Sequence, residues 1–310
     1  MMGRQGFDCR ERRGKTARSR WMRGGGLRGD MKITVLVENA TPSSRLAACH
    51  GLSLLVEAAD QRILFDVGPD ATLLANARAL DVDIACVDAV VISHGHADHG
   101  GGLGAYLEAT QGSRAPVYVR EDAFIEHRSG TFESNRSISL DPVLADHPRV
   151  VRTAEHTVLG QGVELFSVER ASHPAPSSNA RLFRVAEGPA GEAVLIPDDF
   201  AHEQSLLVNE GGKRVLVSGC SHAGILNIMD RAEELAGAPL DVVFAGFHLM
   251  SPSLGEQEGA DAVESLGREL ARRGATYYTF HCTGMEAFAR LRDMLGDRVR
   301  YLACGSVVRV

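Results

Sequence analysis

Long apolar runs are missing from this sequence of 310 residues, although 44% of the residues are hydrophobic. A membrane-spanning helix needs roughly 18 or more consecutive apolar residues, and no segment of the sequence offers them. The basic start of the chain also lacks the apolar stretch of a secretory signal. We therefore expect a cytoplasmic protein without a membrane partner, whose hydrophobic residues build the core of a large α/β domain.

Paired cysteines are also absent, since the six cysteines are scattered and none stands in a Cys-x-x-Cys pair. In a chain of this length, that scattering argues against a disulfide framework and favours a reducing compartment. Glycine-rich loops of the P-loop or dinucleotide-binding type are missing as well. The last absence excludes the common glycine-rich phosphate-binding loops.

Charge is unevenly distributed, because residues 1–30 carry a net charge of +6 and the total of −7 therefore leaves −13 on the other 280 residues. Nucleic-acid binding depends on neutralising phosphates, so an acidic body argues against a nucleic-acid partner. We interpret residues 1–30 as a disordered basic extension and residues 31–310 as one domain. A nucleic-acid-binding arm and a targeting peptide are the alternatives for the extension.

Short β-branched runs alternate with helical stretches after residue 31, which is typical of two β-rich halves with helices on their outer faces, an αββα sandwich. Strands are predicted at Lys32–Glu38, Leu52–Ala58, Gln61–Asp66, Ala89–Ile92, Val117–Val119, Val163–Val168, Arg181–Val185, Ala193–Ile196, Ser205–Asn209, Arg214–Ser218, Asp241–Ala245, Thr276–Phe280 and Val299–Leu302. Helices are predicted at Ala71–Leu80, Ile225–Leu235, Gly259–Arg273 and Met285–Leu295. The polar segment Glu121–Pro148 has an irregular pattern, and we expect an insertion there that shapes the substrate pocket.

A dense group of polar side chains directly follows the predicted strand Ala89–Ile92. His94, His96, Asp98 and His99 lie within six residues. Their lone pairs and the carboxylate need partners, because burying polar groups without them is costly. A divalent cation satisfies all four side chains, and the spacing suits two cations that share one loop.

The string Ser-His-Gly-His-Ala-Asp-His-Gly at positions 93–100 resembles the His-x-His-x-Asp-His signature of the metallo-β-lactamase superfamily. The resemblance implies the metallo-β-lactamase fold, with His94 and His96 on a first metal and Asp98 and His99 on a second. Asp66 resembles the family's early Asp-x-Gly aspartate, which supports the metal ligands from behind. A turn at the end of a strand is the alternative for Asp66.

Later segments resemble the subgroup of ribofuranosylaminobenzene 5′-phosphate synthase-like proteins, also called dihydropteroate-synthase-like. The segments that carry this resemblance are His50–Glu57, Val217–Ile225, Gly246–Leu249 and Phe280–Gly284. His281 is placed like the final metal histidine of the superfamily. The bridging aspartate of better-known relatives is absent, because Gly219-Cys220 stands at the Gly-Asp position.

Several side chains could complete the metal centre in place of that aspartate. His222 is the preferred ligand; Cys220 is the weaker candidate and could instead pack under a strand end. His202 is either a ligand or a surface residue. His248 could line the pocket or donate a proton, and His50 could approach the same pocket. Four further histidines are interpreted as surface or loop residues: His127, His147, His156 and His173.

These residues predict a metal-dependent hydrolase of a small phosphorylated or ester-containing metabolite. Imidazole and carboxylate ligands favour two zinc ions, with manganese or iron as alternatives; His96 stands where the diiron relatives have a carboxylate. Asp98 would orient a metal-activated water, and His248 would protonate the leaving group. The alternatives are a synthase that joins an aminobenzoate or pterin to a phosphoribosyl group, and a non-catalytic metal-binding module, which the missing aspartate suggests.

Overall fold

The computed structural model describes residues 31–251 and 255–310, so the predicted extension 1–30 lies outside the described residues. In chain order, the strands are β1 Lys32–Val37, β2 Ser53–Ala58, β3 Gln61–Phe65, β4 Ala89–Val91, β5 Val117–Arg120, β6 His127–Gly130, β7 Asn135–Ser137, β8 Val150–Thr153, β9 His156–Gly160, β10 Val163–Phe166, β11 Leu182–Glu187, β12 Ala193–Pro197, β13 Ser205–Glu210, β14 Lys213–Val217, β15 Val242–Ala245, β16 Met250–Ser251, β17 Glu256–Gln257, β18 Thr276–Thr279, β19 Val299–Tyr301 and β20 Val307–Arg309. The α-helices are α1 Thr72–Ala79, α2 Ala97–Gly100, α3 Leu103–Ala109, α4 Ile225–Ala236, α5 Ala260–Arg273 and α6 Met285–Leu295.

Two seven-stranded sheets form the centre of the molecule. The first has the order β20-β1-β2-β3-β4-β5-β8, and the second has the order β19-β18-β15-β14-β13-β10-β9. Side chains of the two sheets meet in one apolar layer, to which β1 contributes Ile33 and Val35 and β14 contributes Val215 and Val217. Because successive side chains of a strand point to opposite faces, Leu36 of β1 instead packs on the outer side of the first sheet.

Helices cover both outer faces. Helices α1 and α3 pack on the first sheet, and α4, α5 and α6 pack on the second. This arrangement confirms the predicted αββα sandwich. The central strands are buried on both faces, which explains why they read as nearly continuous apolar runs. Among the described residues, the helices are too short or too polar to cross a membrane.

The predicted strands and long helices agree with the structure to within two residues at either end. The segment Glu121–Pro148 is more regular than predicted, because it contains β6 and β7, which join β11 and β12 in a third sheet of order β12-β11-β6-β7. This sheet is tied to the histidine loop, since the backbone N–H of Ala97 donates to the carbonyl of Ile138 at 2.7 Å. Strands β8 and β9 were also missed by the sequence pattern.

Candidate metal centre

The histidine-bearing loops leave the carboxyl ends of neighbouring strands. His94 to His99 follow β4, which pairs in parallel with β3. In the second sheet β14, β15 and β18 are parallel neighbours, and the loops after them carry His222, His248 and His281. Because parallel strands end at the same edge of a sheet, residues far apart in sequence meet at one place.

Three of these histidines form what we call the three-histidine group: His94, His96 and His222. Their ligand atoms lie within 4.8 Å of one another. All three Nε2 atoms are buried and have no hydrogen-bond partner in the part of the chain that the structure describes. The outer Nδ1 atoms of two rings are held in place, His94 by the Ser93 hydroxyl at 2.8 Å and His222 by the Asn179 side-chain oxygen at 3.0 Å. Unpartnered buried nitrogens that converge on one point fit a cation.

The protonation of the three-histidine group suits metal binding. Burial lowers the pKa of His94 and His222 well below its usual range. Burial likewise lowers the pKa of His96, to about 4. The rings are therefore neutral at neutral pH, and neutral imidazole is the form that binds metals.

A second set, which we call the Asp98 group, consists of Asp98, His99 and His281. The Nε2 atoms of His99 and His281 are 3.2 Å apart, and the Oδ2 atom of Asp98 is 3.2 Å from His281 Nε2 and 3.9 Å from His99 Nε2. The ligands of a tetrahedral zinc ion lie about 3.3 Å from one another, given Zn–N bonds of about 2.05 Å. The Asp98 group therefore also fits a cation.

Side chains behind the Asp98 group fix its orientation. Asp66 Oδ2 is 2.7 Å from His99 Nδ1, and the same carboxylate accepts from the Ser93 backbone N–H and hydroxyl at 2.7 and 2.8 Å. Asn39 Oδ1 is 2.8 Å from His281 Nδ1. Although burial by itself lowers the pKa of His99, the carboxylates of Asp66 and Asp98 outweigh it and raise that pKa to about 9.

Cys220 lies between the two sets. Its Sγ atom is 3.1 Å from His99 Nε2, and it lies within 4.8 Å of the ligand atoms of both His94 and His99. The thiol is buried and free, and burial raises its pKa. Cys220 is therefore close to where a residue that bridges two cations would be. The sequence favoured His222 over Cys220 as a ligand, but in the structure both side chains contact the candidate centre.

His248 and His50 border the centre. Both ring nitrogens of His248 are buried without a hydrogen-bond partner among the described residues, and its ring centroid is 4.2 Å from that of His222. His50 Nε2 is 3.2 Å from Asp98 Oδ2, and 42% of its side chain is exposed. Both line the same cavity of about 270 Å³, which has room for a small molecule beside the metal centre.

His202 has partners for both of its ring nitrogens. Its Nδ1 accepts from the Gly95 backbone N–H at 2.9 Å, and its Nε2 is 3.2 Å from Asp198 Oδ2. Metal binding by His202 would have to displace one of these bonds. Its ring instead contacts the backbone between His94 and His96 and holds this part of the loop.

The interpretation of His127 as a surface residue was wrong. The side chain is fully buried, and its Nδ1 lies 3.0 Å from Asp198 Oδ2. Strand β6 folds over the histidine loop so closely that a Cβ atom on Gly95 would lie 2.7 Å from His127 Nε2. The sequence analysis also missed Asp198. The only sign of its role in the sequence is that this aspartate stands four residues before His202.

Residues 46–248 match the family model of the metallo-β-lactamase superfamily. The chain belongs to this superfamily. The metallo-β-lactamase fold explains the αββα sandwich, and members of this superfamily typically bind metal ions, in agreement with the clustered histidines and aspartate of this chain.

Individual proteins are similar to this chain along most of its length. An uncharacterized protein of Methanocaldococcus jannaschii, MJ0448, is 27% identical over 267 residues, which cover 84% of this chain and 94% of that protein. The 7,8-dihydropterin-6-methyl-4-(β-D-ribofuranosyl)-aminobenzene-5′-phosphate synthase of the same organism is 24% identical, covering 90% and 97% respectively. The solved structure of Tm1679, a metal-dependent hydrolase of the β-lactamase superfamily, has a TM-score of 0.73 and 29% identity, covering 90% and 99%.

Proposed function

We propose that this protein is a hydrolase that uses two divalent cations to act on a small phosphorylated or ester-containing metabolite. The observation that carries the proposal is the set of unpartnered, buried Nε2 atoms of the three-histidine group, which lies beside the Asp98 group at the wall of a cavity. Buried polar atoms are rarely left without partners. Keeping three of them so close together is best explained by bound metal.

The ligand assignment follows from the two sets of side chains. The three-histidine group would hold the first cation, and the Asp98 group would hold the second. Cys220 would contact both, in place of a bridging aspartate. Imidazole and thiolate together favour zinc over manganese or iron.

Cations held there would supply Lewis acidity to a water molecule and to the scissile bond. The side chains around them have separate tasks. Asp98 orients its neighbours, because its Oδ2 lies 3.2 Å from both His50 and His281. Glu203 holds the loop of His222 by accepting from the backbone N–H groups of His222 and Ala223 at 2.7 and 2.8 Å.

His248 is the residue that we assign to proton donation. It lines the cavity, so a substrate bound over the cations reaches its ring. Since its ring nitrogens have no partner among the described residues, one of them is available to donate to a leaving group. General acids of this kind contribute about 10²- to 10⁴-fold to the rate.

Turnover of a substrate panel by the zinc-loaded protein tests this proposal. The panel contains phosphomonoesters, phosphodiesters, lactones and thioesters, and we expect hydrolysis of at least one class. The variant His222→Ala should abolish that activity, whereas His156→Ala, a surface histidine paired with Glu164, should retain it. Full zinc occupancy without hydrolysis of any panel member would contradict the proposal.

A second candidate is synthase chemistry, which the similarity to the M. jannaschii synthase over 90% of this chain favours. That reaction would join an aminobenzoate or a pterin to a phosphoribosyl group. Incubation with phosphoribosyl pyrophosphate and p-aminobenzoate distinguishes the two candidates. Release of pyrophosphate that depends on p-aminobenzoate would favour the synthase, and its absence together with ester hydrolysis would favour the hydrolase.

A further inference from the structure

An arginine stands in the wall of the cavity beside the metal centre. Arg136, in the short strand β7, lines the same cavity as Asp98, His248 and His281. Among the described residues, it has no carboxylate within ion-pair distance and no side-chain hydrogen bond. A cationic side chain next to a metal centre, without an anion of its own, is suited to bind a negatively charged group of a ligand.

Neighbouring arginines of the third sheet do have acidic partners. Arg128 of β6 pairs with Glu126, and Arg184 of β11 pairs with Asp199 at 2.7 Å. The positive charges of these two arginines are therefore already paired with carboxylates. Arg136 differs from both, because it lines the cavity and Arg128 and Arg184 do not.

The backbone fixes the position of Arg136 relative to the metal centre. Arg136 is the direct antiparallel partner of Ser129 in β6, so both side chains are on one face of the sheet, and both line the cavity. Two residues further on, the carbonyl of Ile138 accepts from the Ala97 N–H at 2.7 Å, within the histidine loop. The residue that directly follows the strand of Arg136 is thus hydrogen-bonded to the histidine loop.

We propose that Arg136, together with the Ser129 hydroxyl, forms a subsite for a phosphate or carboxylate group of the substrate, apart from the bond that is hydrolysed. The inference rests on the proposed hydrolase function and narrows its substrate to an anionic metabolite. The planar guanidinium can donate two parallel hydrogen bonds to such a group. Arg136 is then a residue that determines substrate specificity.

Binding of simple anions tests the subsite without any turnover. The dissociation constants of inorganic phosphate and succinate are measured by calorimetry on the zinc-loaded protein and its variants Arg136→Met and Arg136→Lys. Arg114→Met is the matched control, because Arg114 is exposed and lies outside this cavity. We expect Arg136→Met to weaken binding of one anion about 10- to 100-fold, Arg136→Lys to weaken it less, and Arg114→Met to have no effect.

The two anions identify the source of the charge. Weakening confined to phosphate supports a phosphorylated substrate, and weakening confined to succinate supports a carboxylate. Unchanged binding of both anions would overturn the subsite.

A kinetic comparison adds a second readout once a substrate is found. The ratio of kcat/KM for an anionic ester to that for a neutral ester should fall about 10- to 100-fold in Arg136→Met, mainly through KM. An unchanged ratio would overturn the subsite while leaving the hydrolase function intact. Conversely, weakened anion binding without hydrolysis of any substrate would support the subsite and contradict the hydrolase.

Discussion

The Sγ atom of Cys220 lies 3.1 Å from Nε2 of His99, although 121 residues separate them in the sequence. This contact brings the buried thiol of Cys220 against the Asp98 group. Cys220 also lies near the three-histidine group, because its Sγ atom is within 4.8 Å of a ring nitrogen of His94. These two contacts are the reason for proposing Cys220 as a ligand in place of the absent aspartate.

Replacing Cys220 should weaken zinc binding. We expect Cys220→Ala to lower zinc affinity at least about tenfold, because one ligand is lost, and Cys220→Asp to recover most of it. Competition with a chromogenic chelator measures the affinity. Cys304→Ala is the matched control, since Cys304 is also a buried free thiol but bonds to the Leu36 carbonyl. Equal zinc affinity in Cys220→Ala and the control would show that the thiol is only a packing residue.

Asp66 should act through His99. The variant Asp66→Asn keeps the shape of the side chain but removes the charge that holds His99 Nδ1 at 2.7 Å. Substitution of such supporting partners typically costs about 10- to 100-fold in metal affinity. The same chelator competition checks this value, with Asp241→Asn, which alters a surface ion pair with Arg214, as control. A change of less than twofold would contradict the supporting role.

Zinc binding should release protons at pH 7. In the metal-free protein, the carboxylates of Asp66 and Asp98 overcome the effect of burial and raise the pKa of His99 to about 9, and burial raises the pKa of the Cys220 thiol. Both groups therefore hold a proton that a cation must displace, whereas the three-histidine group is already neutral. Zinc affinity should accordingly rise as the pH is raised from 7 through 9, because both protons become easier to displace.

Calorimetry in buffers of different ionisation enthalpy counts the protons released. We expect about two protons for the wild-type protein and about one for Asp66→Asn, in which His99 loses the carboxylate that raises its pKa. Zinc binding without proton release at pH 7 would contradict the assignment of His99 and Cys220 as ligands.

The sequence predicted the histidine loop well because its chemistry is local. His94, His96, Asp98 and His99 fall within six residues after a buried strand, so their proximity does not depend on the rest of the fold. His281, more distant in sequence, was placed by its resemblance to the final histidine of the superfamily. In the structure it lies 3.2 Å from His99.

His127 and Asp198 could not be predicted in the same way. Their contact of 3.0 Å depends on the pairing of β6 with β11, and neither strand has the apolar alternation that would reveal its register. Arg136 could not be predicted for the same reason, because its place in the cavity depends on the pairing of β7 with β6. A polar strand over the mouth of a site looks like a loop in the sequence.

His248 should matter for turnover and little for metal content. If it donates a proton, His248→Asn should lower kcat about 10²- to 10⁴-fold. Zinc content, measured by atomic emission, should stay at the wild-type value, as it should in the surface control His156→Asn. Loss of one zinc ion would instead identify His248 as a ligand.

Gly95 should be required for the close packing of the loop between His94 and His96. A Cβ atom there would lie 2.5 Å from the Ala123 carbonyl oxygen and 2.7 Å from His127 Nε2. Gly95→Ala should therefore lower the free energy of unfolding by about 1–3 kcal/mol, as overpacking typically does, in a urea titration of the metal-free protein. Gly112→Ala, where a Cβ meets no atom within 4 Å, is the control. Equal stability of the two variants would show that β6 does not pack tightly on the histidine loop.

The most direct measurement is anomalous X-ray diffraction at the zinc absorption edge from crystals of the zinc-loaded protein. We predict two peaks per chain, one among His94, His96 and His222 and one among Asp98, His99 and His281, with Cys220 Sγ within bonding distance of both. No peak at these positions, or a single peak among His127, Asp198 and His202, would contradict the dinuclear centre on which the proposed function depends.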